Sequence, residues 1–282
     1  MKRFKNALTI TKVIIAAGLL GACQNEKDAA VSPIAENAEQ PNNQKANFAL
    51  YFKRLIGDGK VTMEYSGPQK LISKEYNTSK NEYTLYSYLD ANQITGVKYN
   101  SLNQTTIETS VYVTNSVGKC TESHHAVKGV PVNEVYVYKY NSDGLLEKTY
   151  NKNNSNERQD FTYTPKTNGK FNLHTIRYYN GNNVKYKELT YIYYNDKEEA
   201  AKVNPACLAK GRGKYLPIFG SFSVNLIKQI VETTFTYQPT NSLTVPHEFS
   251  YTWNGQTEIV KEKVGATVLL TERKYATYGF LK

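Results

Sequence analysis

The sequence predicts an all-β protein made of consecutive antiparallel β-hairpins, forming a curved sheet or a β-barrel, open or closed. Two observations carry this. Short segments rich in Tyr, Thr, Val, Phe and Ile place an apolar or aromatic residue at every second position, which is the period of a strand whose side chains alternate between two faces. Between them sit clusters of Asn, Asp, Ser and Gly, the residue types that accept the positive φ of tight turns.

From the N-terminus, Lys2, Arg3, Lys5 and Lys12 put four positive charges and no acid ahead of an apolar run over residues 13–22. That is a signal-peptide layout. The run is too short for a membrane-spanning helix, which needs roughly 20 residues. It ends in Leu20-Gly21-Ala22-Cys23, which resembles the lipobox of bacterial lipoproteins. The resemblance implies cleavage after residue 22, diacylation of the Cys23 thiol and acylation of the new amino group. Two or more acyl chains make a stable anchor where one does not. The expected address is therefore the cell envelope, as an outer-membrane lipoprotein: Gln24 follows the cysteine, where an Asp would resemble the inner-membrane retention signal of enterobacteria. The short charged run Asn25-Glu26-Lys27-Asp28 resembles the surface-export tags of some Bacteroidota lipoproteins, and a plain solvated tether reads the same way.

Residues 23–46, Ala-, Asn-, Gln- and Glu-rich with almost nothing large and apolar, cannot bury enough surface to offset their ordering entropy. They are expected to form a flexible tether spanning on the order of 25 Å. A Tyr-rich β domain follows over residues 47–282. Only Phe48, Tyr51, Phe52 and Leu55 show helix-like spacing, which suits one short opening helix or a first strand. Strand alternation is plainest at Val135-Tyr136-Val137-Tyr138-Lys139-Tyr140, at Phe161 with Tyr163, at Phe235 with Tyr237, and at Phe249, Tyr251 and Trp253. Turns are expected at Asn141-Ser142-Asp143-Gly144, Thr167-Asn168-Gly169, Asn180-Gly181-Asn182-Asn183 and Asn254-Gly255. Two less regular insertions run over residues 118–132 and 198–219, each carrying one cysteine.

With Cys23 lipidated, Cys120 and Cys207 remain as an even pair in an oxidising compartment. Paired, they would clip the two insertions together, and the chain-entropy model for so long a loop gives about 4.5 kcal/mol. Two separately buried thiols would look the same in sequence. Without residues 1–22 the chain keeps 260 residues and a formal charge of +6. That excess is scattered, with no Lys/Arg stripe of the kind a nucleic acid would need.

The hairpins echo one another: Tyr138-Lys139-Tyr140-Asn141-Ser142-Asp143-Gly144-Leu145 returns in part as Tyr86-Ser87-Tyr88-Leu89-Asp90 and as Tyr191-Ile192-Tyr193-Tyr194-Asn195-Asp196. This pattern resembles the YD-type repeats of bacterial surface proteins, in the degenerate form carried by a group of Bacteroidota lipoproteins. The resemblance covers the chain from about Tyr83 onward and implies an architecture, with no activity attached.

No catalytic motif is present. Gly220-Ser221-Phe222-Ser223-Val224 breaks the nucleophile elbow, and Gly211-Arg212-Gly213-Lys214 lacks the spacing of a phosphate loop. His124 and His125, near Glu122, point to opposite sides if the segment is extended, so no metal site or other cofactor is expected. Glu188, Glu232, Glu248 and Glu258 lie on or near strands, but nothing in the sequence brings two of them together as a glycosidase would require. Tyr136, Tyr138 and Tyr140 share one strand face and form the candidate ladder for stacking on a ligand. The sequence thus points to a lipid-anchored, monomeric, non-enzymatic binding or structural protein with a glycan or protein ligand. A periplasmic-side carrier of lipid or another apolar molecule, and a glycan-active hydrolase, are the alternatives.

Overall fold

The computed structural model describes residues 51–166, 169–198, 204–205, 208–236 and 242–279. The chain divides into two units, Met1–Asn47 and Phe48–Lys282, and all described residues belong to the second. The expected signal peptide (1–22), with Leu20, Gly21 and Ala22, the lipidation residue Cys23, the tether (23–46), Tyr237 and Cys207 lie outside the described residues.

The described residues form sixteen strands: β1 (Tyr51–Asp58), β2 (Val61–Ser66), β3 (Leu71–Asn77), β4 (Glu82–Asp90), β5 (Gln93–Asn100), β6 (Thr106–Thr114), β7 (Cys120–Val127) and β8 (Glu134–Tyr140), then β9 (Leu146–Asn151), β10 (Asn154–Pro165), β11 (Phe171–Tyr179), β12 (Lys185–Glu198), β13 (Asn225–Phe235), β14 (Ser242–Asn254), β15 (Thr257–Val264) and β16 (Thr267–Gly279). Each pairs antiparallel with its neighbour in sequence, and β1 pairs with β16, so the sheet closes into a barrel. The stretch with helix-like spacing is β1. Residues 118–132, read from sequence as an irregular insertion, contain β7. Its lumen-facing residues include Ser123 and His125, so the strand has a true period of two without an apolar signal.

One turn recurs in three places. Asn115, Asn141 and Asn180 each accept two backbone N–H bonds on Oδ1, from the second and fourth residues onward, at 2.9–3.1 Å. The third residue onward is left-handed: Gly118 at φ 74°, Gly144 at φ 73° and Asn183 at φ 62°. The asparagine side chain thus acts as a local template, and the Gly or Asn three residues later supplies the φ that other residues resist.

The Tyr-x-Tyr repeat has an equally local explanation. In five hairpins the two strands part toward one rim, and a tyrosine of the second strand caps a carbonyl of the first. Tyr65 donates to Leu55 O (2.6 Å), Tyr88 to Ile72 O (2.9 Å), Tyr140 to Cys120 O (2.8 Å), Tyr163 to Leu146 O (3.0 Å) and Tyr193 to Leu173 O (2.7 Å). Ladder pairing has already ended at each of these positions, so the hydroxyl supplies a donor that the neighbouring strand no longer does. Two residues earlier in each strand stands the core anchor: Met63, Tyr138, Phe161 and Tyr191 are buried, and Tyr86 packs against the core. The first residue of the repeat fills the interior and the second closes the backbone.

Removing one such cap leaves a carbonyl unsatisfied at a cost of about 1–2 kcal/mol. Urea titration of Tyr65→Phe and Tyr163→Phe should show losses of that size, whereas Tyr76→Phe, with no such bond, should stay within about 0.5 kcal/mol of the parent.

Candidate functional site

The buried residues of almost every strand face the lumen, and the described part of the connection between β12 and β13 (204–205 and 208–224) folds into it. Its partners lie on well-separated strands of the wall. Cys120 N on β7 donates to Ile218 O (2.7 Å), and Leu173 N on β11 donates to Phe222 O (2.6 Å). Leu216 and Phe219 are fully buried, with the Phe219 ring 5.0 Å from that of Tyr138 and 6.3 Å from that of Tyr112. Arg212 reaches Glu108 on β6 (2.5 Å) and Glu134 at the start of β8 (2.6 Å), where Lys210 joins it. β8 begins at the rim opposite the one where β12 ends, so the connection runs lengthwise through the barrel. On the other wall Lys214 Nζ lies 2.8 Å from Asp58 on β1, which also accepts from Tyr215 (2.8 Å) and Arg273 (3.3 Å). The connection is a plug.

Beneath it runs an ordered chain of hydrogen bonds. Ser110 Oγ donates to Glu108 (3.0 Å), so His125 Nδ1, 2.8 Å from Ser110 Oγ, must supply the proton there. Nε2 then accepts from Ser123 Oγ (2.9 Å), which in turn accepts from Tyr138 OH (2.9 Å). Every member is satisfied by neutral His125 in its Nδ1–H form. Burial pushes the His125 pKa below 6.5 against the pull of Glu108. Burial alone would raise Glu108, but the nearby His125 ring and the Arg212 guanidinium hold it at about 2. Asp58 is likewise depressed, because Lys214 and Arg273 outweigh its burial.

Ser123, His125 and Glu108 are the residue types of a hydrolytic triad, with Nδ1 3.6 Å from Glu108. Ser123 and His125 are each 0% exposed, and the rings of Tyr112 and Tyr136 flank the imidazole. A nucleophile needs access and oxyanion donors; Ser123 is sealed from solvent here. His124 points outward to Glu122 (2.7 Å), on the opposite face from His125, as an extended strand requires. The four carboxylates named from sequence are each occupied locally: Glu188 by Arg177 and Lys185, Glu232 by Lys187, Glu248 by Lys263, and Glu258 by Tyr275 and Arg273. No group of three or more His, Cys, Asp or Glu side chains among the described residues could hold a metal ion. Tyr136, Tyr138 and Tyr140 do share a face, but it is the lumen face, with Tyr136 and Tyr138 buried and Tyr140 spent on Cys120 O. Cys120 is buried, its Sγ 3.4 Å from Glu122 O, and burial pushes its pKa up. The plug leaves two cavities beside it, about 310 Å³ against β3–β6 and about 530 Å³ against β11–β16. Sequence reading missed the plug because its anchors, Glu108 and Asp58, lie 104 and 156 residues from Arg212 and Lys214.

No family model matches the chain, and no curated protein matches it. Among solved structures it is similar to a porin-like protein from Bacteroides vulgatus, with TM-score 0.52 and 14% identity over 79% of this chain and 97% of that one. A second porin-like protein, from Bacteroides uniformis, aligns at TM-score 0.37 and 13% identity over 81% of this chain and 95% of that one. The first likeness agrees with the fold, a closed antiparallel barrel.

The acid response of the plug follows from Glu108. Its folded-state pKa lies below its ordinary 4.5, so its contribution is complete above pH 4.5 and is lost as pH falls toward about 2. Thermal melts across that window should show Glu108→Gln less stable than the parent near neutrality and less steeply destabilised by acid below about pH 4.5.

Proposed function

We propose that this chain is a lipid-anchored envelope protein whose barrel stands in water, a non-enzymatic binding or structural element and not a membrane pore. The observation that carries this reading is the sidedness of the wall. A transmembrane barrel shows lipid an apolar band about 25 Å tall and keeps its polar residues inside. Here tyrosine, phenylalanine and leucine make up much of the inside, around a few polar groups paired with one another. Ion pairs cover the outside: Glu122 with His124 and Lys152, Arg158 with Asp160, Arg177 with Glu188, Lys263 with Glu248, and Lys274 with Glu272. Even where valines face outward, Val111 and Val135 stand opposite His124, and Val113 and Val137 opposite Glu122. Each cation placed at a bilayer midplane would cost about 2–4 kcal/mol. β2 and β9 have six residues each, where a membrane-spanning strand takes about 9–11. The plugged lumen also supports a role other than conduction.

A barrel of this kind reaches a membrane through its acylated Cys23 alone, and the outer surface is what a glycan or protein partner meets. Metabolic labelling with an alkyne fatty acid, followed by carbonate extraction of the envelope, tests this. Wild type should be labelled and sediment with membranes, whereas Cys23→Ala should be unlabelled and recovered in the soluble fraction. Label retained by the variant would overturn the anchor. A label-free variant that still resists extraction would overturn the water-facing barrel.

A further inference from the structure

The barrel wall has a parting that the plug does not cover. β13 and β14 are paired from Phe235↔Ser242 to Gln229↔Glu248 and no further. Beyond that point Asn225 and Ile227 pair with β12 alone and residues 249–254 with β15 alone. Tyr194 of β12 reaches across, its hydroxyl donating to Phe249 O at 2.9 Å, with its ring edge-on to Tyr251 at 6.3 Å. A side-chain bond thus stands where ladder bonds stop, and a single hydroxyl is readily displaced.

Phe249 lines two spaces at once. Inside is the cavity of about 530 Å³ between plug and wall, within the roughly 300–1,000 Å³ of sites for small organic ligands. One side of it is apolar, from Leu189, Tyr191, Phe222, Ile227, Ile230 and Val260, and the other carries Lys187, Lys214, Glu262 and Arg273. Outside is a groove of about 540 Å³ between Ile192 and Lys261. Lys228, Lys261 and Lys263 line the groove against one carboxylate, Glu248, which Lys263 neutralises at 3.6 Å. An interior with one apolar wall, a lateral opening and two remaining cations at its mouth are complementary to one kind of molecule.

We propose that the parting between β13 and β14 is the entrance of a binding site for a single-chain amphiphile with an anionic headgroup, such as a fatty acid. The acyl chain passes beneath Tyr194 into the lumen cavity and lies against Ile227, Ile230 and Val260. The headgroup stays in the outer groove on Lys228 and Lys261. This deepens the reading of a water-facing barrel, since an apolar ligand in water needs such an enclosure.

The test uses the full chain bearing Cys23→Ala, so that no attached acyl group competes, and a dansyl-labelled undecanoic acid as probe. Binding should be saturable and displaced by palmitate, and each methylene removed from a competitor should weaken it about fourfold. Combined Lys228→Glu and Lys261→Glu should weaken palmitate by about tenfold or more while leaving hexadecanol unchanged. Ile230→Trp, which fills the cavity, should abolish both. Absence of saturable binding, or affinity unchanged in a folded Ile230→Trp, would overturn the site. A diazirine fatty acid photolysed with the unaltered lumen gives a measurement that needs no cavity variant: label on β12–β14 supports the site, and label elsewhere overturns it. The same photolabelling on wild-type envelope vesicles separates the two readings, because a barrel embedded in the membrane would be labelled all round its outer face.

Discussion

A sheet closed from sixteen strands encloses more space than its own side chains can fill. Eight strands give an interior that side chains just pack, and sixteen leave a channel unless something else occupies it. In water an aromatic-lined channel is unfavourable, since the apolar area it exposes is what folding would otherwise bury. The filling here is the β12–β13 connection. It supplies buried Leu216, Ile218, Phe219 and Phe222 to strands whose Tyr112, Tyr138, Phe161 and Leu173 have no facing wall near enough to touch. The splayed hairpins belong to the same solution. Strands that part near one rim expose N–H groups at Cys120 and Leu173, and the plug's own carbonyls accept from them.

Polar groups carried into that interior are held in two bundles. One joins Arg212 to Glu108 and Glu134 and continues through Ser110, His125 and Ser123 to Tyr138; the other joins Lys214 and Tyr215 to Asp58 and Arg273. Each charge has an opposite charge and further hydrogen bonds, the condition under which burial is tolerable. The same bundles fix the plug in one register, because apolar packing alone would let a chain of small and medium residues slide.

Much of this architecture was legible in the sequence. Aromatic alternation marked β8, β10 and β14, the Asn-based turns stood out at Asn141 and Asn180, and the opposed directions of His124 and His125 followed from strand geometry alone. β7 was hidden because its inward residues beyond Cys120 are a serine and a histidine, so a polarity signal pointed away from a buried strand. The plug was hidden for a different reason. Residues 198–219 read as an irregular excursion, and nothing local distinguishes a loop that leaves a barrel from one that enters it. The deciding interactions join residues more than a hundred positions apart. The tyrosine ladder was read correctly as one face, but which face could not be known before closure was.

Asp58 binds the plug through Lys214 and Tyr215, and it binds β16 through Arg273, its registered partner across the junction where the first strand meets the last. The carboxylate is therefore shared between the step that seals the cylinder and the step that fills it. Contacts this far apart in sequence form late and slowly. A chain that zips its hairpins in order reaches the final junction with the lumen still empty, and the lysine and the arginine then converge on one acid. Sealing and filling are thereby coupled, since an unsealed cylinder and an unfilled one each leave Asp58 with only one of its two cations.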